Sequence, residues 1–290
     1  MTEITTFLAT TNGKLIVFGS LAGFFLLLII FTRGKNSPVK KITSIPFPVP
    51  WKKLLTGKYQ YYRNLNVRDK EKLENSIQVF LSKKDFYGID NLEITDEIRL
   101  LVAAQACTLI FKIDQKLECY PNHKSIYLYP DKFPPDYYSG IMVDGLSAPP
   151  WYDSESVISG EVHLSWPDVS RGIEDGKDGY NPVFYQFARQ LDQDDFSDDG
   201  IPSLYLDNPE KWIGIFSSYF QKFQTSINSG KSSLINPHAA NSLAEFFAAT
   251  TELFFEVPVQ FRKEFPGLYN ELKDFYKQDP AYIVSISKNK

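Results

Sequence analysis

The sequence predicts an α+β fold, helix-rich with a small sheet, preceded by one N-terminal transmembrane helix. Three observations carry that prediction. Apolar residues recur at helical spacing, as at Leu73, Ile77, Phe80 and Leu81, and again at Phe184, Phe187, Ala188 and Leu191. Two short segments, Lys124–Tyr129 and Glu161–Trp166, read as strands, each closed by a proline. Leu15–Thr32 is an apolar run without a single charge.

That run is long enough for a membrane. Its 18 residues would span roughly 27 Å as a helix, close to a hydrocarbon core. A cleaved signal peptide is the competing reading. Against it stand the length of the run, Lys14 as the one basic residue before it, and the absence of a small-x-small site after it. Residues 1–14 are then a short tail and residues 15–32 a single-pass anchor. Arg33, Lys35, Lys40, Lys41, Lys52 and Lys53 follow the run, so the positive-inside rule places the C-terminal part in the cytoplasm. The same basic cluster suits anionic headgroups. Residues 33–53 read as a basic linker with Pro38, Pro46, Pro48 and Pro50, extended and too proline-rich for a helix over 33–50.

Residues 54–290 form the expected domain. Seven of the 31 Lys and Arg and one of the 35 Asp and Glu lie in residues 1–53, which leaves 24 against 34 and a net charge of −10. An acidic domain is ill suited to nucleic acid, which binds by neutralising phosphates. Cys107 and Cys119 lack metal-type spacing, and in a reducing cytoplasm they read as ordinary thiols.

Taken in order, Val67–Phe86 is predicted as a helix, and Asp96–Phe111, acidic at its start and apolar on most faces, as a central one. Asn181 then caps a helix whose first residue is Pro182. Tyr185 and Arg189 lie four apart on one face of it, with Gln186 beside them. That is the frame of His-Glu-x-x-His, in which two imidazoles bind zinc and the Glu is the general base. The acidic stretch Asp192–Gly200 lacks the full pattern of a calcium loop and reads as solvated surface. A further helix is expected around Trp212–Phe223. Ser242-Leu-Ala-Glu245 is a capping box that opens a helix to Val257, stopped by Pro258. Glu245 and Glu252, seven apart, share a face among Phe246, Phe247, Phe254 and Phe255. A carboxylate there is costly unless paired or ligated, although capping alone is the simpler role for Glu245. The last predicted helix is Pro266–Gln278.

Several long motifs in one order carry a resemblance. Pro46-Phe-Pro48, the stretch Ile98–Cys107, Ser159-Gly-Glu-Val-His-Leu-Ser-Trp166, the stretch Asn181–Asp192, Glu245-Phe-Phe-Ala248, Glu252-Leu-Phe-Phe255 and Gln278-Asp-Pro280 make the chain similar to the Mlc titration factor A family of zinc-dependent peptidases. The resemblance runs from about Pro46 to Pro280 and implies a zincin-like domain. The N-terminal anchor is an addition to the family's soluble form. Where the family has its first zinc histidine, catalytic glutamate and second zinc histidine, this chain has Tyr185, Gln186 and Arg189. Glu245 matches the family's third zinc ligand, and His238 occupies the position of an active-site tyrosine. Glu252 is a fallback for the third ligand. The family's association with a transcriptional repressor implies a protein partner.

The substitutions oppose the family chemistry. Arg189 offers no lone pair and stays protonated, Tyr185 would have to ligate as a phenolate, and Gln186 cannot take a proton from bound water. No cofactor is therefore expected, and the leading expectation is a membrane-anchored pseudopeptidase acting as a protein-binding or regulatory module. The alternative is an active zinc-dependent metallopeptidase with rewired ligands, using Glu245, His238 and Tyr185. A structural membrane-associated protein with no cleft ligand is the third. For Arg189 the sharper expectation is an ion pair with Glu245, with Tyr185 or Gln186 hydrogen-bonded alongside. The plainer one is a pair with Asp192, three residues on. His123 is expected in a solvated turn, and His163 at the surface or in packing. As an edge strand, Glu161–Trp166 is the candidate to pair with an extended peptide.

Overall fold

The computed structural model describes residues 38–132 except 115 and 117, and residues 160–287 except 175. The expected anchor at residues 15–32 lies outside them, and among the described residues no helix is long and apolar enough to cross a membrane. Two compact units divide the chain, one of residues 1–45 and one of residues 46–290. In the first, α1 spans Pro38–Thr43. The second opens with α2 (Val49–Lys58), α3 (Gln60–Asn64), α4 (Val67–Lys83) and the short strand β1 (Asp85–Gly88).

Helices at α1 and α2 correct the extended linker expected over residues 33–50. Pro38 and Pro50 fall in the first turn of their helices, where a missing N–H has no intrahelical partner to lose. Prolines start these helices instead of preventing them. The end of the helix predicted to Phe86 is also corrected. At Lys84 the backbone turns extended, and residues 85–88 pair as β1 instead.

Helix α5 (Asp96–Ile110), capped by Thr95, is buried from Leu100 to Ile110 and forms the centre of the unit. β2 (Ser125–Tyr129) and β3 (Glu161–Ser165) complete a sheet of order β1-β2-β3. All pairings are parallel, with Asp85, Ser125 and Glu161 in one row. Ile126, Leu128, Val162 and Leu164 turn one face inward. β3 is an edge among the described residues.

Trp166 does not extend the strand but begins α6 (Trp166–Glu174). The Ser165 hydroxyl accepts from the Asp168 N–H at 3.2 Å, and Pro167 sits in the first turn. α7 (Pro182–Gln193) and α9 (Leu243–Glu256) pack on each other, and α7 also rests on α5. Between them runs α8 (Pro209–Asn228). Its Trp212 is fully buried, stacked on Phe216 at 3.9 Å, with the indole N–H donating to the Gly200 carbonyl at 2.9 Å. α10 (Pro258–Glu264), α11 (Pro266–Tyr276) and α12 (Pro280–Ser287) each start on a proline. Pro258 thus ends one helix by beginning the next.

Candidate active site

Helix α7 is tied down at its first turn. The Asn181 side-chain oxygen accepts from the N–H groups of Val183 and Phe184, both at 3.1 Å, which satisfies donors that the helix itself cannot. Its amide nitrogen donates to Gln105 Oε1 at 2.7 Å and to Glu256 Oε1 at 2.9 Å. The Asn181 backbone N–H donates to Glu252 Oε1 at 2.5 Å. One buried asparagine thus joins α5, α7 and α9.

This position decides the case of Glu252. It lies at the opposite end of α7 from Arg189, eight residues or roughly 12 Å along the axis from Asn181 to Arg189, and serves the helix start. Burial pushes its carboxyl up to about 8, opposed by the Asn181 hydrogen bond.

At the other end, Arg189 meets Glu245. Its Nη1 donates to Glu245 Oε1, and its Nη2 donates to Asp198 at 2.6 and 2.7 Å. Arg189 and Glu245 are each 14% exposed at the side chain and Asp198 is 45% exposed, so the clamp grades from buried to solvent. The expected Arg189–Glu245 pair is present, and the alternative pair with Asp192 is replaced by Asp198. Asp192 instead accepts from the Gly200 N–H at 2.9 Å. Tyr185 is buried and Gln186 half-buried. The structure shows no hydrogen bond from either to the pair, contrary to expectation. Arg189 Nε and Glu245 Oε2 lack a hydrogen bond among the described residues, so the contact is single and not a two-pronged fork.

Burial pushes the Glu245 carboxyl up to about 7. The guanidinium in contact favours the ionised form and opposes that push. Glu245 also begins α9, where its N–H donates to Ser242 Oγ at 3.1 Å. Ser242 thus caps the helix, while the Glu245 carboxylate goes to Arg189.

At the positions that the resemblance gives to the family's zinc, the donor set is changed. The Arg189 guanidinium, a permanent cation, stands on the Glu245 carboxylate, and the positions that the resemblance matches to the two imidazoles hold Arg189 and Tyr185. Among the described residues no group of three or more His, Cys, Asp or Glu is placed to hold a metal ion. His238 lies half-buried on a 3-10 turn, Pro237–Ala240, which packs on α9.

Two expectations about charge are corrected. The acidic stretch after α7 is not simply solvated, since Asp192 and Asp194 are 0% and 3% exposed. Gly200 closes back on Asp192, while the Tyr205 hydroxyl donates to Asp194 Oδ2 at 2.6 Å and Asn122 Nδ2 to the Asp194 carbonyl at 2.8 Å. Burial raises Asp192 to about 7 and Asp194 to about 6. His123 is likewise buried, not solvated, and burial lowers its imidazole to about 4. His163 stacks on Tyr127 with centroids 5.0 Å apart, a packing role. Cys107 and Cys119 are buried free thiols.

Sequence reasoning missed Asp198 as the second partner of Arg189, and Gln105 as a partner of Asn181. Gln105 carried a signal, as the one amide inside the otherwise apolar middle of α5.

Helix α7, the carboxylate-bearing α9 and the small sheet are the elements that the resemblance matches to a zincin-like metallopeptidase frame. The model of the family described as Glucose-regulated metallo-peptidase M90 matches residues 32–277, and the chain belongs to that family. It is 33% identical over 248 residues to an uncharacterized protein of Synechocystis sp., covering 83% of this chain and 88% of the relative. It is 25% identical to Mlc titration factor A of Serratia proteamaculans, covering 74% of this chain and 82% of that one. For Mlc titration factor A of Klebsiella pneumoniae the identity is also 25%, with coverage of 80% and 87%.

Proposed function

We propose that this protein is a catalytically silent member of its peptidase family that works by binding a protein or peptide. The observation that carries the reading is the Arg189 guanidinium against Glu245. It supplies a fixed positive charge beside the carboxylate that the family would use for zinc, and Gln186 removes the general base. The edge of β3 is where an extended segment would add as a further strand. In this reading residues 15–32 hold the domain at the cytoplasmic face of a membrane. The relatives called Mlc titration factor A are named for titrating a factor, which suits a binding role.

Metal analysis and peptide cleavage test the proposal together. Zinc far below one per chain and no hydrolysis of model peptides are expected. Stoichiometric zinc that disappears in Glu245→Ala would mean an active enzyme with rewired ligands. Restoring Tyr185→His, Gln186→Glu and Arg189→His in one variant should bring back zinc binding if the remaining cleft is competent. Extraction of membranes at alkaline pH tests the anchor, since a spanning helix stays in the pellet and a peripheral protein is released.

A further inference from the structure

Helix α2 turns a basic face away from the core. On its inner side Leu55 is fully buried, and the Tyr59 hydroxyl just past its end shares a hydrogen bond with Thr108 of α5 at 2.8 Å. Val49, Lys52, Lys53 and Thr56 fall at i, i+3, i+4 and i+7, which is one face of the helix, and all four are exposed. Arg63 extends that face from α3, because its Nη1 donates to the Thr56 carbonyl at 3.4 Å. Lys52 shares its charge with the buried Glu74, 3.0 Å away. Among the described residues no acidic side chain pairs with Lys53 or Arg63.

The sign of this face is opposite to that of the domain around it. Residues 46–68 hold Lys52, Lys53, Lys58, Arg63 and Arg68 and no Asp or Glu, whereas residues 54–290 carry a net charge of −10. An anionic lipid surface favours such side chains by about fivefold for each Lys or Arg that reaches it. Val49, 76% exposed at the start of the helix, adds an apolar side chain to the same face. The place in the chain agrees, since Lys52 lies 20 residues after the apolar run ends at Thr32. We propose that the outer face of α2, together with Arg63, lies on the anionic surface of the membrane that residues 15–32 would enter. The inference rests on the reading of those residues as an anchor and adds the face on which the domain sits.

Reductive methylation with formaldehyde, an uncharged reagent, reads this face in the full chain reconstituted into lipid nanodiscs. With phosphatidylglycerol in the disc, Lys53 should react at least about fivefold more slowly than in pure phosphatidylcholine. Exposed Lys222 on α8 should react equally in both. In about 1 M sodium chloride, where screening shortens to about 3 Å, the difference at Lys53 should vanish. Arg63→Gln, a change at an exposed side chain, should remove most of that difference without touching Lys53. Alkaline extraction separates the two readings. If it releases the chain, the anchor reading fails, and low-salt sedimentation still tests the face. The chain should then pellet with phosphatidylglycerol vesicles and not with phosphatidylcholine vesicles, and Arg63→Gln should weaken that binding about fivefold. Equal reactivity of Lys53 in both discs, equal slowing of Lys222, protection that survives 1 M salt, or indifference to Arg63→Gln would overturn the proposal.

Discussion

The two ends of α7 are fastened to the same neighbour by different chemistry. At Asn181 an uncharged amide reaches α5 and α9 at once, fully buried, with both its oxygen and its nitrogen engaged. At Arg189 a charged group bridges Glu245 on α9 and Asp198 in the following loop, and the clamp runs out into solvent. In this chain the first end is structural. The second is where metal chemistry would stand, and there an ion pair holds the helices together. The two ends differ in burial as well as in charge, the amide end being closed from solvent and the arginine end open to it.

Removing the amide should do the most damage. Asn181→Ala loses a cap worth about 1–2 kcal/mol and strands buried partners at about 1–3 kcal/mol more. A loss of roughly 3 kcal/mol in urea unfolding is expected on those grounds. A smaller loss than that of Arg189→Met would reverse the ranking of the two ends.

Arg189→Met leaves Glu245 without its counter-charge, a loss of about 2 kcal/mol after discounting the fully buried value for partial exposure. Adding Glu245→Gln should return most of it, and a double-mutant cycle measures the coupling. Additive losses in that cycle would show that the contact contributes nothing. The loss should shrink toward pH 5. Burial raises the Glu245 carboxyl, so without Arg189 the folded state prefers it protonated, and that stability fades as pH rises toward 7.

The amide end predicts a pH slope of its own. The Glu252 carboxyl is raised from its ordinary value to about 8. Its contribution is therefore complete below the unfolded value and is lost as pH climbs through 8, by at most about 1.4 kcal/mol per pH unit. Glu252→Gln should flatten that slope and gain on the wild type above pH 8. An unchanged slope in denaturation curves between pH 5 and 9 would place the titrating group elsewhere. Asp198→Asn should cost least, below about 1 kcal/mol, and the loss should fall further in high salt because that carboxylate is half in water.

Much of this was legible because local signals agreed with the fold. Asn181 and Ser242 are caps that announce their helices, and both are used as such. Arg189 opposite Glu245 followed from the resemblance, which matches both to zinc-ligand positions, together with the need of a buried carboxylate for a partner. The failures share a cause in long-range packing. Asp192, Asp194 and His123 look polar and solvated in one dimension, yet a loop closing on Gly200 and a turn held by Asn122 bury them. β1 offers four residues and one half-buried phenylalanine, too little pattern to stand out from the helix before it. Prolines misled at Pro38 and Pro50, because the same residue that blocks a helix interior is at ease in its first turn.

The Arg189–Glu245 contact has a consequence for the cell as well as for chemistry. A metal can be stripped by a chelator or withheld by starvation, and a fold that relies on it then varies with supply. A guanidinium is covalently part of the chain and cannot be withdrawn. Under the proposed function, this domain would keep its shape through metal scarcity.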